Sequence, residues 1–366
     1  MDNLYNYLQN MRLCRENNSP LLTNVKSRLN SDSDTILFGA SEGGLEIYQK
    51  LSSLDVEVDY FCDNNSNLWG TKFCEKLVLS PSELLGLIEP DILISSSFQT
   101  DIYAQLKEMG LQNVYHFPLI DIISDQHYSI GYHVNNTEQI VKSFDLLDNE
   151  QSKVVFSNLI RYRLEQDLDQ IRSIRTNDMY LPSCIIDTLQ KNSIIFDIGA
   201  FIGDTVDQFL GIKDAKMIYA FEPESNNYKI IRDKYMQNNV VTTENMVISN
   251  STGRMYISND GAESFASSKK DNTMAEVVSS TLDDYCIHNN LVPNYLKMDV
   301  EGFERQVLTG GQQLIHDHKP LMAISVYHRA SDLWKIPILI KRLNMDYRMQ
   351  LMHHSFNICD SVLYCF

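Results

Sequence analysis

The chain has 366 residues, of which 43% are hydrophobic and 22% are charged. These are ordinary values for a folded globular protein, and the length suggests two or three domains. The net charge of −17, without a cluster of Lys and Arg, argues against a nucleic-acid partner, because neutralising phosphates supplies most of that affinity. No apolar run reaches the length of a bilayer span, so we expect no membrane span and a cytoplasmic location.

The cysteines argue against a disulfide framework and a zinc knuckle. There are seven, an odd number, and no two form a C-x-x-C pair. We expect them to be reduced core residues.

The first 120 residues predict a nucleotide-fold module behind a short helical lead-in over residues 1–30. From Thr35 an apolar strand runs into a glycine turn at 39–44, a helix to about residue 54, and a second strand ending at Asp63. This β-α-β pattern, followed by further strands at 77–79, 92–95 and 114–117, predicts a small parallel, Rossmann-like sheet over 31–120.

Two functions remain open for this first module. It could bind a dinucleotide or sugar nucleotide, with Asp63 on a pair of hydroxyls, or it could be a scaffold that binds nothing. Ser41 stands where a second glycine is expected, and no catalytic Cys, Lys or Tyr-x-x-x-Lys pattern follows. We favour the empty or modified role.

The middle of the chain predicts a helical connector over residues 121–180. Apolar residues recur at helical spacing throughout 137–176. Pro182 and Ser183 then mark the entry to a catalytic domain over 181–366.

This domain opens with a second glycine turn. The strand 194–196 leads into Asp197-Ile198-Gly199 and on to Gly203-Asp204. We expect Gly199 to let the backbone turn against a ligand, and Gly203 to let the new helix pack on its strand. Glu222, about 20 positions beyond, is where a strand-end carboxylate grips ribose hydroxyls.

The turn favours a positively charged nucleoside ligand. It has the pattern D-x-G-x-x-x-G, without the middle glycine that admits a pyrophosphate, and its acids would repel phosphate. An amine and a sulfonium suit it, which points to S-adenosylmethionine (SAM). The residues assigned to this cofactor are Asp197, Gly199, Ala200, Phe201, Gly203, Asp204, Glu222 and Pro223.

Two later strands deliver the candidate catalytic residues. The strand 295–298 ends at Asp299 and Glu301, and the strand 321–326 ends at Tyr327 and His328. The ends of neighbouring parallel strands meet at one edge, so we assign catalysis to Asp299, Glu301 and His328, with His328 as the general base. These residues could instead hold Mg²⁺, but we favour a site without metal, because magnesium prefers carboxylates and water to imidazole.

Several nearby residues are expected to have structural roles. Lys297 is expected to pair with Asp299, and His353-His354 to be a surface pair. A hairpin-like strand is expected at 253–258. The polar segment 261–272 is expected to be a loop that could close over the ligand, with Ser264 and Ser267 near the adenosine, or be an ordinary mobile loop.

At this point the second half of the chain resembles the FkbM-type SAM-dependent methyltransferases. The residues that carry the resemblance are FDIGAFIGDT (196–205), YAFEPE (219–224), STLDDY (280–285), LKMDVEGFERQVLTGG (296–311) and SVYHRASDLW (325–334). The resemblance implies an O-methyl product and a seven-stranded class I methyltransferase fold with a terminal hairpin. The predicted class is thus α/β, with two Rossmann-like domains joined by a helical connector.

The acceptor is expected to be a hydroxyl of a sugar, on a glycan precursor or nucleotide sugar. N-methylation of an aminosugar stays open, as does a homo-oligomeric state. Two other functions also stay open: an NAD-dependent oxidoreductase or epimerase that uses the first glycine turn, and a binding protein that turns nothing over.

Overall fold

The computed structural model describes residues 4–13, 29, 33–53, 55–96, 98–116, 130–165, 168–212, 215–257, 266–267, 275–356 and 358–366. The chain divides into two compact units. The first consists of Met1–Thr137 with Asn158–Ser173, and the second of Glu138–Ser157 with Ile174–Phe366. The boundaries predicted near residues 30, 120 and 180 stay predictions.

The first unit contains a six-stranded sheet. Its strands are β1 (Thr35–Phe38), β2 (Tyr60–Cys62), β3 (Lys72–Phe73), β4 (Lys76–Leu79), β5 (Asp91–Ile94) and β6 (Val114–His116). The order is β3-β4-β2-β1-β5-β6, and every pair is parallel except β3 with β4. The predicted parallel sheet is therefore present, with an antiparallel edge strand that the sequence did not indicate.

The helices of the first unit include the one predicted after the glycine turn. They are α1 (Leu4–Leu13), α2 (Glu42–Ser52), α3 (Gln99–Glu108), α4 (Ile130–Asn135) and α7 (Leu168–Arg172), with 3₁₀ turns at Ser66–Leu68 and Pro81–Gly86. Ser41 caps α2, because its hydroxyl accepts a hydrogen bond from the amide of Gly44 at 3.5 Å.

The stretch predicted as helix throughout 137–176 is broken. Its helices are α5 (Thr137–Asp145), α6 (Glu150–Glu165) and α7. The break before α6 has a local cause: the side chain of Asn149 accepts a hydrogen bond from the amide of Ser152 at 2.8 Å, as at a helix N-terminus.

The second unit contains a seven-stranded sheet. Its strands are β7 (Ser193–Ile198), β8 (Ala215–Phe221), β9 (Val241–Glu244), β14 (Tyr295–Met298), β15 (Leu321–Ser325), β16 (Met349–His353) and β17 (Ser361–Cys365). The order is β16-β17-β15-β14-β7-β8-β9. Only the pairs that include β17 are antiparallel, so the predicted seven strands with a terminal hairpin are confirmed.

The helices of this unit lie between the strands in the chain. They are α8 (Ser183–Ile186), α9 (Asp204–Leu210), α10 (Ser225–Tyr235), α11 (Leu282–Asn289), α12 (Glu304–Gly310), α13 (Gln312–His318) and α14 (Asp332–Leu343). Trp334 in α14 is fully buried, as core packing predicts. Among the described residues, no helix combines the length and the apolar character needed to cross a bilayer.

A separate four-stranded sheet corrects the prediction for residues 253–272. It is formed by β10 (Met246–Ser249), β11 (Gly253–Ile257), β12 (Ala266–Ser267) and β13 (Ala275–Thr281), in the order β10-β13-β11-β12. The strand β11 pairs with β13 and β12, so it forms no hairpin with the strand before it. Part of the expected loop is thus strand; Ser264 lies outside the described residues, as does the side chain of Ser267.

The histidine pair 353–354 is buried, which corrects the surface prediction. The Nδ1 atom of His353 lies 2.9 Å from the Ser361 hydroxyl. His354 shares hydrogen bonds with Thr176 and Tyr364, and burial lowers the pKa of its imidazole. Its ring therefore ties the terminal hairpin to the chain before α8.

The described cysteines are all free, but only three of them lie in the core, where all were expected. Three of them, Cys62, Cys286 and Cys365, are buried, while Cys74, Cys184 and Cys359 are partly exposed. Cys14 lies outside the described residues.

Candidate active site

A cavity of about 340 Å³ lies at the carboxyl edge of β7, β8 and β14 in the second unit. This is the edge at which parallel α/β sheets bind ligands, and the volume is within the range of small-molecule sites. Five of the eight residues assigned to the cofactor line it: Gly199, Phe201, Asp204, Glu222 and Pro223. Asp197, Ala200 and Gly203 lie outside its lining.

The glycine turn forms one wall of this cavity. Gly199 has a φ of 84°, and the amides of Gly199 and Ala200 both donate to the carbonyl of Phe221 at 3.0 Å. A Cβ added at Gly199 would overlap the carbonyl oxygen of Asp299. Glycine is therefore required at this position by the close backbone at the end of β14, independently of any ligand.

Gly203 has a different neighbour from the one predicted. Its φ is 84°, and an added Cβ would meet the ring of Tyr235 in α10. The close approach that it permits is to this helix and not to its own strand. The Tyr235 hydroxyl lies 2.7 Å from the carbonyl of Gly203.

Glu222 is held against the turn by two backbone amides. Its Oε2 accepts from the amide of Phe201 at 2.9 Å, and its Oε1 accepts from the amide of Glu224 at 2.8 Å. Burial raises the pKa of this carboxyl to about 7, although both hydrogen bonds oppose the shift. Each oxygen keeps a lone pair, so the carboxylate can still accept from hydroxyls in the cavity.

Asp197 and Lys297 form a buried ion pair behind the turn. The Nζ of Lys297 lies 2.9 Å from Oδ1 of Asp197 and also donates to the carbonyl of Gly199, while Thr205 donates to Oδ2. The expected pairing of Lys297 with Asp299 is therefore wrong. The reason is strand register: Lys297 and Asp197 are direct neighbours on β14 and β7.

The cavity is strongly acidic. Among its described lining residues are five carboxylic acids and one cation, Lys297. The acids are Asp204, Glu222, Asp299, Glu301 and Asp360. Because Lys297 is already paired with Asp197, it offers little charge to a phosphate, whereas a cationic ligand would be attracted.

The three predicted catalytic residues meet at one corner. The Nε2 of His328 lies 3.4 Å from Oδ1 of Asp299 and 3.3 Å from Oε2 of Glu301. The strands that deliver them, β14 and β15, are parallel neighbours, as expected. Asp299 is further held by the hydroxyls of Tyr180 and Tyr327, which donate at 2.8 and 3.2 Å.

The surroundings of His328 favour its protonated form, and its predicted role as general base stays a prediction. Burial would lower the pKa of its imidazole, but the facing carboxylate of Glu304 and contacts with Glu301 and Asp299 raise that pKa well above its ordinary value. For Asp299, burial opposes ionisation, yet the charges of Lys297 and His328 lower its pKa.

Sequence reasoning missed three residues of this corner. Glu304 is fully buried, and its Oε1 lies 2.8 Å from Nδ1 of His328. It stands one helical turn after Glu301 in the same motif, a signal that could have found it. Tyr180 and Asp360 enter the cavity from outside the five motifs, so no local pattern marks them.

Four of the described non-glycine residues that line the cavity have left-handed backbones. The φ values of Tyr180, Phe201, Glu301 and Asp360 are 65°, 46°, 49° and 59°. Each such residue costs about 1–2 kcal/mol. Strain of this kind is concentrated at functional sites, where the surrounding structure enforces it.

Two segments of the chain match models of known protein families. Residues 197–354 match the family model described as the methyltransferase FkbM domain. The second unit carries an FkbM methyltransferase domain. The resemblance seen in the sequence is thus confirmed, and residues 31–115 match a second model, described as C2185-like, N-terminal.

Among solved structures, the chain is similar to methyltransferase FkbM from Methylobacillus flagellatus KT. The identity is 18%, the match covers 95% of this chain and 93% of that chain, and the TM-score is 0.71, which shows a shared fold. Fibrillarin from Aeropyrum pernix, solved with S-adenosyl-L-methionine, matches at 12% identity, over 48% of this chain and 67% of that chain, with a TM-score of 0.32. That score is too low to support an argument. No curated protein matches the chain significantly in sequence.

Proposed function

We propose that this methyltransferase is a SAM-dependent O-methyltransferase that acts on a hydroxyl of a sugar or glycan precursor. The observation that carries the proposal is the charge of the cavity: among the described residues that line it are five acids and one lysine, and Asp197 neutralises that lysine. Such a lining favours a sulfonium and an ammonium over a diphosphate.

The lining residues suit the two ends of SAM. The lone pairs left on Glu222 can accept from ribose hydroxyls, and Gly199 lines the same cavity. Asp299 and Glu301 line the same cavity, just after the end of β14. When bound, SAM supplies an electrophilic methyl group on a sulfonium.

The acceptor hydroxyl needs a group that takes its hydrogen bond and holds it in line. Glu301 is suited to this role, because its side chain is 39% exposed and lines the cavity. Asp299 is fixed by two tyrosines and can orient a neighbouring hydroxyl. Positioned acid–base groups of this kind contribute about 10²–10⁴ in rate.

A sugar is the acceptor class that best uses several carboxylates at once. Vicinal hydroxyls can donate to Asp299, Glu301 and Asp360, all of which line the cavity. An aminosugar would use the same residues, and only the product distinguishes the two.

The free cysteines suit the reducing cytoplasm expected from the sequence.

The direct test is methyl transfer. The full chain is incubated with isotopically labelled SAM and an extract of nucleotide sugars and glycans, and mass spectrometry identifies whatever gains a methyl group. We expect an O-methylated sugar, with turnover reduced at least 100-fold in Asp299→Asn. Binding of SAM without any methylated product would favour the binding protein, and a thermal shift with NAD but not SAM would favour the oxidoreductase.

A further inference from the structure

The corner formed by Asp299, Glu301 and His328 has the composition of a metal site. Two carboxylate oxygens lie within 3.4 Å of one imidazole nitrogen, and both carboxylates line the cavity. Ligand atoms of Asp299, Glu304 and His328 also lie within 4.8 Å of one another. A cluster of this kind needs a second observation before it indicates an ion.

The second observation is the environment of His328. Its side chain is only 8% exposed, yet Nε2 makes no well-aligned hydrogen bond to either carboxylate, despite the short distances. A buried ring nitrogen thus faces two carboxylates and is satisfied by neither. An ion between the three groups would satisfy all of them.

The other side of the ring matches this arrangement. Its Nδ1 lies 2.8 Å from the carboxylate of Glu304, although the two atoms are not aligned for a hydrogen bond. Glu304 is fully buried and also accepts from the amide of Val300 at 3.1 Å. Histidines that ligate metals usually give their other ring N–H to a carboxylate, which fixes the tautomer and orientation of the ring. Glu304 is placed for this role.

We propose that Asp299, Glu301 and His328 bind a divalent transition metal such as Mn²⁺, with Glu304 orienting His328. Two oxygens and one imidazole nitrogen leave coordination positions open toward the cavity. This ligand set suits Mn²⁺, Fe²⁺ or Zn²⁺ better than Mg²⁺, which prefers oxygen alone. The preference of magnesium therefore does not argue against a metal of this class.

The role of the ion rests on the proposed function. A metal at this corner can bind the acceptor hydroxyl, or two vicinal hydroxyls, and make the oxygen a better nucleophile by lowering its pKa. The O–CH₃ bond forms as the S–CH₃ bond of SAM breaks, the hydroxyl proton passes to water, and S-adenosylhomocysteine leaves. This step requires no oxidant or reductant.

The close approach of these side chains has a second explanation, a cluster of charged groups that contains no metal. In it, a protonated His328 neutralises Asp299, Glu301 and Glu304, with Asp332 and Tyr327 also nearby. The two accounts differ in one measurable property, because only the first predicts selective binding of a metal ion in the absence of SAM.

The test measures Mn²⁺ binding to the full chain after chelator treatment, by the loss of the free-ion electron paramagnetic resonance signal. We expect one Mn²⁺ per chain, with affinity at least 10-fold weaker in Glu301→Gln and about 10–100-fold weaker in Glu304→Gln. Glu301 is partly exposed, so Glu301→Gln remains informative even if variants of the buried residues fail to fold. The matched control is His316→Ala, which removes an exposed histidine beside Asp317 and should bind as the wild type does.

Absence of Mn²⁺ binding, or equal binding by wild type and Glu301→Gln, would overturn the metal site. The same samples are titrated with SAM and assayed for methyl transfer with and without chelator. Full turnover in chelator would reject the metal and leave the proposed function intact. Selective Mn²⁺ binding without methyl transfer to any acceptor would support the metal site and count against the function.

Discussion

The two units of the chain each place an acidic residue against a glycine turn in the same way. In the first, Asp63 accepts from the amide of Ala40 at 2.9 Å and from that of Asn65 at 2.8 Å. In the second, Glu222 accepts from the amides of Phe201 and Glu224 at nearly the same distances. The acid after the second strand therefore holds the turn of each unit through backbone amides.

The units differ at the next strand end. In the first, Ser95 follows β5, and its hydroxyl donates to the carbonyl of Phe38 at 2.9 Å. In the second, Asp299 follows β14 and brings its charge to the cavity beside His328. The glycine turn and its acid thus belong to the fold of both units. The chemistry that each unit can perform depends on the residue at the strand end that faces the turn.

The largest expected effect concerns the charge pair behind the second turn. Lys297→Met leaves Asp197 buried without its partner, which should lower the free energy of unfolding by about 3–5 kcal/mol. The control in the first unit is Lys76→Met, which breaks an exposed pair with Glu57 and should cost at most about 1 kcal/mol. Denaturant unfolding measures both, and equal losses would contradict the buried pair.

The next effect separates backbone strain from close packing. Gly199→Ala should cost about 2–5 kcal/mol, from an unfavourable φ and an overlap with the carbonyl of Asp299. Gly70→Ala, in the first unit, has a φ of 72° and no atom near the added Cβ, so it should cost only about 1–2 kcal/mol. If both alanine variants unfolded at the same denaturant concentration, the proposed overlap would be wrong.

A smaller effect compares the two acids directly. In both Glu222→Gln and Asp63→Asn, an NH2 group replaces one carboxylate oxygen. That oxygen can accept from a backbone amide, whereas the NH2 group can only donate. The cost should be about 1–3 kcal/mol at buried Glu222 and less at the half-buried Asp63. Thermal or denaturant unfolding tests the ranking, and a larger loss for Asp63→Asn would reverse the comparison.

A last effect, of similar size, is a dependence of stability on pH. The pKa of Glu222 is about 7 in the folded chain, above its ordinary value, so its contribution favours folding at low pH and is lost as the pH rises through about 7. The stability of wild type relative to Glu222→Gln should therefore fall by roughly 1–3 kcal/mol between pH 5 and 8. A constant difference over this range would contradict the raised pKa.

Local patterns predicted the parts of the fold that local forces determine. Apolar runs such as 194–196 marked the strands, and Gly199 and Glu222 marked the turn with its acid. The convergence of Asp299 and His328 also followed, because adjacent parallel strands end at one edge.

The remaining features depend on contacts between distant segments. Lys297 pairs with Asp197 because of strand register, which no single motif contains. Strand β11 pairs with residues beyond a polar segment, so the four-stranded sheet resembled a hairpin and a loop. Glu304 is buried while Glu301 is partly exposed, and their spacing alone does not distinguish them.

The most direct test of the account is the binding of SAM by isothermal titration calorimetry, with NAD as the competing ligand. We expect wild type to bind one SAM, Asp63→Asn to bind it equally, and Glu222→Gln to bind it at least 10-fold more weakly, through loss of a charge-assisted hydrogen bond. Binding of NAD in place of SAM, or loss of SAM binding in Asp63→Asn alone, would contradict the account.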